Sequence, residues 1–500
     1  MRYFLAALLC WLSLVAQAAV DPALVQKLAS DESDDKIAAI QAIAATADAE
    51  ALATLQSLAD GKLTAPDGSE ITLNNRVRSE LANAIAGLKL FDADVAVRRA
   101  AAQALQANVG IEMAPMLARA LEKENDPGIK AMLATAFAQA NLASPEASVR
   151  LAAVKALAEA PSASARNLLL PLTREAGEPD MEVRLAAVKS LNSVESKLAI
   201  GENLGRVFTG LSLGSILLLA ALGLAITYGV MGVINMAHGE LLMIGAYATY
   251  AVQSVFRNYF PAAVDAYVIA AIPVALTFAA ATGVPLERTV IRHLYGRPLE
   301  TLLATWGLSL ILIQAARVLF GAQNVELANP SWMSGGVEPM AGLVLPWNRI
   351  VIIGFSMCVL LLVWLLMNKT RLGMFVRAVT QNRAMAGCVG VHTAKIDTMA
   401  FGLGAGIAGL GGVALSQIAN VGPDMGQGYI VDSFMVVVLG GVGQLAGAVW
   451  AALGLGIFTK FLEGWSGAVI AKIVVLVFII VFIQKRPQGL FALKGRFVES

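Results

Sequence analysis

The distribution of apolar positions changes near residue 200. Before this point, apolar residues recur at the i, i+3, i+4 and i+7 spacing of amphipathic helices, whereas after Glu202 they form long stretches. A run of about 20 apolar residues is long enough to cross a bilayer as a helix. The pattern predicts an all-α fold: a polytopic membrane bundle of about 8–9 spans over residues 201–500, after a helical domain over residues 19–200. The predicted spans are 207–229, 234–255, 266–284, 301–320, 350–367, 397–418, 431–459 and 468–483.

The helical domain contains a repeated nonamer. Its copies are VRRAAAQAL from Val97, VRLAAVKAL from Val149 and VRLAAVKSL from Val183, with a degenerate fourth, IKAMLATAF, from Ile129. The copies are unevenly spaced, and each follows residues that are typical of a helix start. The pattern predicts a short HEAT-like helical repeat, which acts either as a docking surface or as a spacer.

Two local features of this domain have structural interpretations. Arg98, Arg150 and Arg184 recur at one repeat position, and we interpret them as structural ion pairs or solvated helix ends rather than as a ligand site. The segment Pro66-Asp67-Gly68 lies between KLT and EITL, which predicts a hairpin or a loop between helices.

The first residues have the layout of a secretory signal peptide. Arg2 precedes an apolar run from Phe4 to Val15, and Ala16-Gln17-Ala18 is a typical cleavage site. We predict a signal peptide over residues 1–18; the alternative is an uncleaved anchor. In both cases the helical domain is expected to be extracytoplasmic, in the periplasm.

Composition excludes several classes of function. The chain is 57% hydrophobic and 15% charged, with a formal net charge of +1, so it has no basic excess for binding nucleic acid. Three cysteines cannot build a disulfide framework, and three dispersed histidines do not predict a metal site. No GxxxxGK[ST] phosphate loop occurs, so this chain is not expected to bind and hydrolyse ATP by that route, and no cofactor is expected in it.

Basic residues predict the orientation of the membrane half. They concentrate in loops 285–299 and 368–396 and in the C-terminal tail, which are therefore expected to be cytoplasmic. Eight crossings after an exported domain would leave the tail outside, so one segment must be miscounted. The glycine-rich Gly440-Gly441-Val442-Gly443 within 431–459 is where we expect a break.

Polar groups at membrane depth are candidate functional residues. Asn235, His238 and Glu240 lie close together at the start of one predicted span. An ionisable group in hydrocarbon costs roughly 2.5–3.5 kcal/mol on insertion scales unless it faces protein or water. Two interpretations stand: a role along a substrate path, or a hydrogen-bond network at a helix start.

Three sequence blocks carry a family resemblance. INMAHGELLMIGAY at 234–247 resembles the first-span signature of the permeases of branched-chain amino-acid and urea ABC importers. TRLGMFVRAVTQNRAMAGCVGV at 370–391 is similar to the cytoplasmic loop by which that family docks into its ATPase, and GGVGQLAGAVWAALGLG at 440–456 also fits. The matching positions of the loop are Arg371, Gly373, Arg377, Asn382 and Gly390.

The resemblance implies a function and partners. An exported helical extension is typical of the urea importers, so the implied function is urea import across the inner membrane by alternating access, without enzyme activity in this chain. The alternatives are a branched-chain amino-acid permease and, more distantly, a passive channel or a membrane scaffold. The implied partners are a second homologous permease subunit, two ATPase subunits and a soluble substrate-binding protein. The substrate-path candidates are Asn235, His238, Glu240, Thr305, Asn420 and Asp424.

Overall fold

The computed structural model describes residues 22–30, 32–46, 49–63, 71–106, 109–441, 443–486 and 489–491. The predicted signal peptide and the Pro66-Asp67-Gly68 segment lie outside these residues. The chain divides into two compact units, residues 1–200 and 201–500.

The first unit is helical throughout its described part. Side chains cap several helix starts: Asn74, Asp94, Asp126 and Ser162 each accept a hydrogen bond from a backbone N–H in the first turn, which satisfies a donor that has no partner within the helix. The helices are α1 (Pro22–Leu28), α2 (Ser33–Thr46), α3 (Ala49–Ala59), α4 (Asn75–Lys89), α5 (Val95–Leu105), α6 (Ala114–Lys123), α7 (Pro127–Asn141), α8 (Ala147–Glu159) and α9 (Ala163–Leu172), and α10 (Met181–Met231) contains the boundary between the units.

Two of the repeated arginines form ion pairs, as the sequence interpretation holds. Arg98 donates Nε and Nη2 to the Glu124 carboxylate, at 2.8 and 3.2 Å, and Arg150 does the same to Glu178, at 2.9 and 2.8 Å. In both cases Nη1 also binds carbonyl oxygens five and six residues earlier. Arg184 keeps one backbone contact of this kind, to the Glu178 carbonyl oxygen. Arg98 and Arg150 therefore each join two successive helix pairs.

The second unit continues with ten helices in the part of the chain that the structure describes. Seven of the helices within the described residues are long and apolar enough to cross a membrane: α10, α12, α13, α14, α17, α19 and α20. The bounds are α11 (His238–Tyr259), α12 (Tyr267–Thr289), α13 (Pro298–Phe320), α14 (Trp347–Lys369), α15 (Arg371–Gln381), α16 (Arg383–Cys388), α17 (Thr393–Ser416), α18 (Met425–Gly440), α19 (Leu445–Ser466) and α20 (Ala468–Lys485).

The break expected within 431–459 is present, because α18 ends at Gly440 and α19 begins at Leu445. Gly441 and Gly443 between them have φ values of 98° and 76°, which side chains disfavour, so the chain breaks where the glycines permit it. The fold is mostly helical, as predicted, and the sequence analysis missed one small feature: strands β1 (Gly336–Met340) and β2 (Leu343–Pro346) form an antiparallel hairpin between α13 and α14.

Helix α17 lies at the centre of the second unit, and its neighbours contact it through bare backbone. A Cβ on Gly245 of α11 would lie 2.1 Å from the carbonyl oxygen of Gly409, and one on Gly404 would lie 2.6 Å from that of Gly223 in α10. These glycines therefore permit an approach that no other residue would allow. Within its most apolar window α17 is 89% buried, whereas α20 is 17% buried.

Candidate functional site

The chain is not helical between α10 and α11, at residues 232–237. Two side chains there accept hydrogen bonds from backbone N–H groups. The Thr305 hydroxyl of α13 accepts from the Met236 N–H at 3.1 Å, and Asn235 Oδ1 accepts from the Ala237 N–H at 3.0 Å. The first candidate residues thus sit on a helix interruption whose backbone groups are satisfied by protein.

This interruption lies deep in the bundle. Thr301, Thr305 and Ser309 recur every fourth residue on α13 and are all buried, so they face the same way. Ser309 comes 11 residues after the start of α13 at Pro298, about 16 Å along a helix axis, which is half of a hydrocarbon core about 30 Å thick. Broken helices near the bilayer midplane are where secondary transporters place their substrate sites.

Glu240 is the carboxyl group at this depth. It lies in the first turn of α11 and is 1% exposed. Ser309 donates to Oε1 at 2.9 Å, while Oε2 is buried without a hydrogen-bond partner among the described residues. A Cβ on Gly426 of α18 would lie 2.8 Å from Oε2, so the glycine leaves room for the carboxyl group. Three helices therefore converge on an acceptor that no described residue satisfies.

His238 points away from Glu240. Its Nε2 lies 3.1 Å from the Ala220 carbonyl oxygen of α10. Its ring packs against Gly223 of α10, where an added Cβ would lie 3.0 Å from Cε1 of the ring. Its Nδ1 is buried and has no partner among the described residues, as is also true of Asn235 Nδ2. The structure therefore assigns His238 to the contact with α10 and Glu240 to the contact with α13 and α18.

Asn420 and Asp424 lie apart from this buried group. Both are exposed, in the segment between α17 and α18. Asp424 pairs with Arg317 of α13, at 2.8 and 3.1 Å, and the Val325 and Val421 backbones form a bridge nearby. Asp424 is two residues from Gly426, so the pair stands next to the Glu240 site rather than inside it.

Sequence reasoning missed three polar residues here. Ser309 holds Glu240, Arg317 holds Asp424, and Tyr247, two turns after Glu240 on α11, has a buried hydroxyl without a partner among the described residues. Tyr247 also stacks on Phe320, with ring centroids 4.4 Å apart. An arginine within a predicted span was a usable signal for Arg317. A lone serine or tyrosine in an apolar helix carries no such signal.

The predicted coupling residues lie on α15, α16 and the turn after them. Gly373 packs against the end of α14, where a Cβ would lie 2.0 Å from the Met367 carbonyl oxygen, and Arg377 donates to that same oxygen at 2.5 Å. Asn382 caps α16 by accepting from the Met385 N–H, and Gly390 has a φ of 92° in the following turn. Arg371 is exposed.

The surface of this segment is mixed in character. Its buried face, Val376, Val379 and Ala386, belongs to the core of the second unit. Its outer face exposes Met374 and Met385 together with basic side chains. Flexible methionine side chains beside positive charge are typical of a surface that receives a partner.

Comparison with known proteins identifies the membrane unit. Residues 206–483 match the family described as branched-chain amino acid transport system / permease component. The chain belongs to this family. It is accordingly a multi-pass protein of the inner membrane and a permease component of an ABC transporter. No solved structure gives a significant match.

Curated relatives of this chain include two that are matched over most of their own length and one that is matched over about a third. The high-affinity branched-chain amino acid transport system permease protein BraD of Pseudomonas aeruginosa is 29% identical over 293 residues, which are 57% of this chain and 95% of BraD. The permease protein LivH of Escherichia coli is 28% identical over 292 residues, 57% of this chain and 94% of LivH. The ribose import permease protein RbsC of E. coli is 30% identical over 112 residues, 21% of this chain and 35% of RbsC.

Proposed function

We propose that this chain is the permease subunit of an ATP-driven importer for a small solute that carries N–H groups. The observation that supports this most directly is the unsatisfied Oε2 of Glu240, held by Ser309 at a helix interruption in a unit of the permease family. A buried carboxylate without a partner is costly, and a bound ammonium or amide N–H would satisfy it. Helix breaks of this kind line substrate cavities in transporters.

A branched-chain amino acid is the substrate that the comparisons support best. BraD and LivH are named for such transport, and each is matched over more than nine tenths of its length. The ammonium of an amino acid would bind Glu240, and its carboxylate would need donors such as the unpartnered Nδ2 of Asn235.

Urea is the second candidate, and one observation favours it. The match to BraD leaves more than two fifths of this chain without a counterpart, and the family match begins only at residue 206. An exported helical extension of this kind is what the resemblance to urea importers implies. Urea also offers several N–H donors to Glu240 without bringing a charge.

We assign the first unit as a HEAT-like repeat because the Arg98–Glu124 and Arg150–Glu178 pairs recur between successive helix pairs.

The orientation follows from the positive-inside rule if α11 and the shorter α18 cross the membrane in addition to the seven long apolar helices. With the first unit outside, α10, α11 and α12 bring loop 285–299 to the cytoplasm, and α13 and α14 bring α15 and α16 there. Helix α17 then returns outward, and α18, α19 and α20 bring the basic tail inside. The Asp424–Arg317 pair would face outward, toward a soluble substrate-binding protein.

Energy would come from other polypeptides. The exposed face of α15 and α16 would seat an ATPase subunit, with two such subunits and a second permease subunit completing the assembly. Urea and amino-acid import would then share one coupling step and differ only in the solute.

Uptake of labelled solute tests the substrate. Cells that lack this gene, with the neighbouring transport genes intact, are compared with cells in which it is restored, using labelled leucine and labelled urea in parallel. Restored ATP-dependent leucine uptake alone would support the amino-acid assignment, and restored urea uptake alone would replace it by the second candidate. Uptake of neither solute would contradict both.

A further inference from the structure

A second group of buried charges lies where α12 ends and α17 begins, apart from the Glu240 site. Glu287, near the end of α12, is 0% exposed, and Asp397, in the second turn of α17, is 1% exposed. Arg292 pairs with Glu287 at 3.2 Å, and Arg383, the first residue of α16, pairs with Asp397. Two buried carboxylates are thus matched by two arginines that reach in from connecting segments.

Further contacts join the two pairs into one network. Tyr295 donates its hydroxyl to Glu287 Oε1 at 3.2 Å, and its ring lies 5.1 Å from the Arg383 guanidinium. Thr398, the residue after Asp397, donates to Glu287 Oε2 at 2.8 Å. The network therefore connects α16 to α17, and α17 to α12.

Arg383 is the residue of this network that belongs to the coupling segment, which is formed by α15 and α16 and is proposed to receive the ATPase. One partner of a buried ion pair cannot be withdrawn cheaply, because the remaining charge is left in a low-dielectric interior. Asp397 is nearly inaccessible and one of its oxygens already has no partner among the described residues, so it depends on Arg383. A displacement of α16 would therefore carry the start of α17 with it.

Helix α17 extends this connection to the substrate site. Its Gly404 and Gly409 contact α10 and α11 backbone to backbone, beside Gly223 and Gly245. Such contacts have no flexible side chains that could absorb a shift. Gly223 also abuts the ring of His238, at the start of the helix that carries Glu240.

We propose that Arg383 and Asp397 form the link by which the coupling segment moves α17, so that ATP hydrolysis in the partner changes access to Glu240. They are positioning residues, and neither touches the solute. The inference rests on the proposed function, because it assumes that α15 and α16 receive the ATPase. It adds that, without the Arg383–Asp397 pair, ATP hydrolysis should continue while solute transport is lost.

The test uses the whole transporter, with both permease subunits, the ATPase subunits and the binding protein, in proteoliposomes. Hydrolysis and uptake of leucine or urea are measured in the same sample, and the readout is solute moved per ATP. The main variant is the double substitution Arg383→Ala with Asp397→Asn, which leaves no unpaired buried charge and so favours folding. Arg383→Lys keeps the charge, and Arg288→Ala removes an exposed arginine in the last turn of α12 as a matched control.

We expect the double variant to bind the ATPase and hydrolyse ATP within about twofold of the unaltered complex, while solute moved per ATP falls by about tenfold, within the usual range of coupling between sites. Arg383→Lys should keep at least about a third of the solute moved per ATP, since lysine retains the charge but not the paired geometry. Arg288→Ala should change nothing.

Two results would overturn the inference while leaving the proposed function intact: an unchanged ratio in the double variant, or a loss of ATPase binding with the ratio preserved in the complexes that remain. Failure of the unaltered complex to couple hydrolysis to uptake of either solute would instead contradict the proposed function itself.

Discussion

Glu240 of the second unit is held in the opposite way to Glu124 and Glu178, the buried glutamates of the first unit's ion pairs. In the first unit, Glu124 and Glu178 each receive two hydrogen bonds from one arginine and further bonds from backbone N–H groups. In the second unit, Glu240 receives one hydrogen bond, from Ser309, and its other oxygen has no partner among the described residues. In the part of the chain that the structure describes, every buried side-chain nitrogen or oxygen atom without a partner belongs to the second unit.

The difference agrees with the role proposed for Glu240. A bidentate arginine pair with backbone donors satisfies the carboxylate within the protein. The buried and unsatisfied Oε2 of Glu240 costs free energy in the resting state, and a solute bound at the proposed site would repay that cost. The two units also pack differently, since alanine, leucine and isoleucine side chains fill the core of the first, whereas α17 is packed through glycine backbone.

The largest effect should come from filling a glycine contact. Gly245→Leu would place a side chain where even a Cβ lies 2.1 Å from the Gly409 carbonyl oxygen, so α11 and α17 must separate. We expect no monodisperse transporter to be recovered by size-exclusion chromatography after detergent extraction. Gly307→Leu is the matched control, because a Cβ at Gly307 meets no atom within 4 Å. Equal yields from both variants would show that the close helix contact is dispensable.

A smaller and more selective effect is expected at Glu240. Glu240→Gln keeps the shape and the Ser309 contact but removes the charge, so the initial rate of solute uptake should fall by about ten- to a hundredfold, in line with the loss of a hydrogen bond to a charged group. The amount of transporter in the membrane, measured by immunoblot, should stay the same. Glu300→Gln, at an exposed glutamate of α13, serves as the control. Unimpaired uptake by Glu240→Gln would show that the unsatisfied carboxylate of the second unit is not needed for transport.

The smallest effect concerns acid stability of the first unit. The hydrogen bond from Arg98, together with backbone donors, lowers the pKa of Glu124 from its usual 4.5 to about 2. Between these values the unfolded chain binds a proton that the folded chain does not. The stabilisation is therefore fully present above about pH 4.5 and is lost as the pH falls toward 2.

Pepsin digestion followed by mass spectrometry measures this loss in the full-length chain. Cleavage within residues 71–172 should increase as the pH falls from 4.5 to 2. Glu124→Gln should be cleaved more readily at pH 4.5 and should depend less on pH, while Glu122→Gln, two residues away and exposed, should follow the unaltered chain. Identical pH profiles for all three proteins would refute the role of the Arg98 pair.

The sequence predicted those features that local chemistry decides. Apolar runs and helix caps marked the helices, and Gly440-Gly441-Val442-Gly443 marked the break between α18 and α19 because glycine tolerates a positive φ. Partners far apart in the chain were not predictable. Ser309 lies 69 residues from Glu240, and Thr398 lies 111 residues from Glu287. No pattern in the neighbouring residues encodes such contacts, because the packing of helices determines them.

The hairpin and the broken helix start were missed for a related reason. Strands β1 and β2 contain five and four residues, too few for a clear alternation of apolar and polar positions. The predicted span from 234 began four residues before α11 does, since Asn235 and Met236 are compatible with a helix by composition. Their path is not helical, and the Met236 N–H is bound by Thr305, which lies on another helix.

The glycines of α17 also affect the entropy of assembly. A helix already formed in the bilayer has lost its backbone freedom before it meets its neighbours. Where α17 meets α10 and α11 at Gly404 and Gly409, docking freezes no side-chain rotamers at those positions, whereas a buried leucine or isoleucine gives up roughly 0.5–1 kcal/mol of rotamer freedom. In a solvent of lipid tails, where burying apolar surface brings little gain, a helix with few rotamers to lose can occupy the centre of the bundle at low entropic cost.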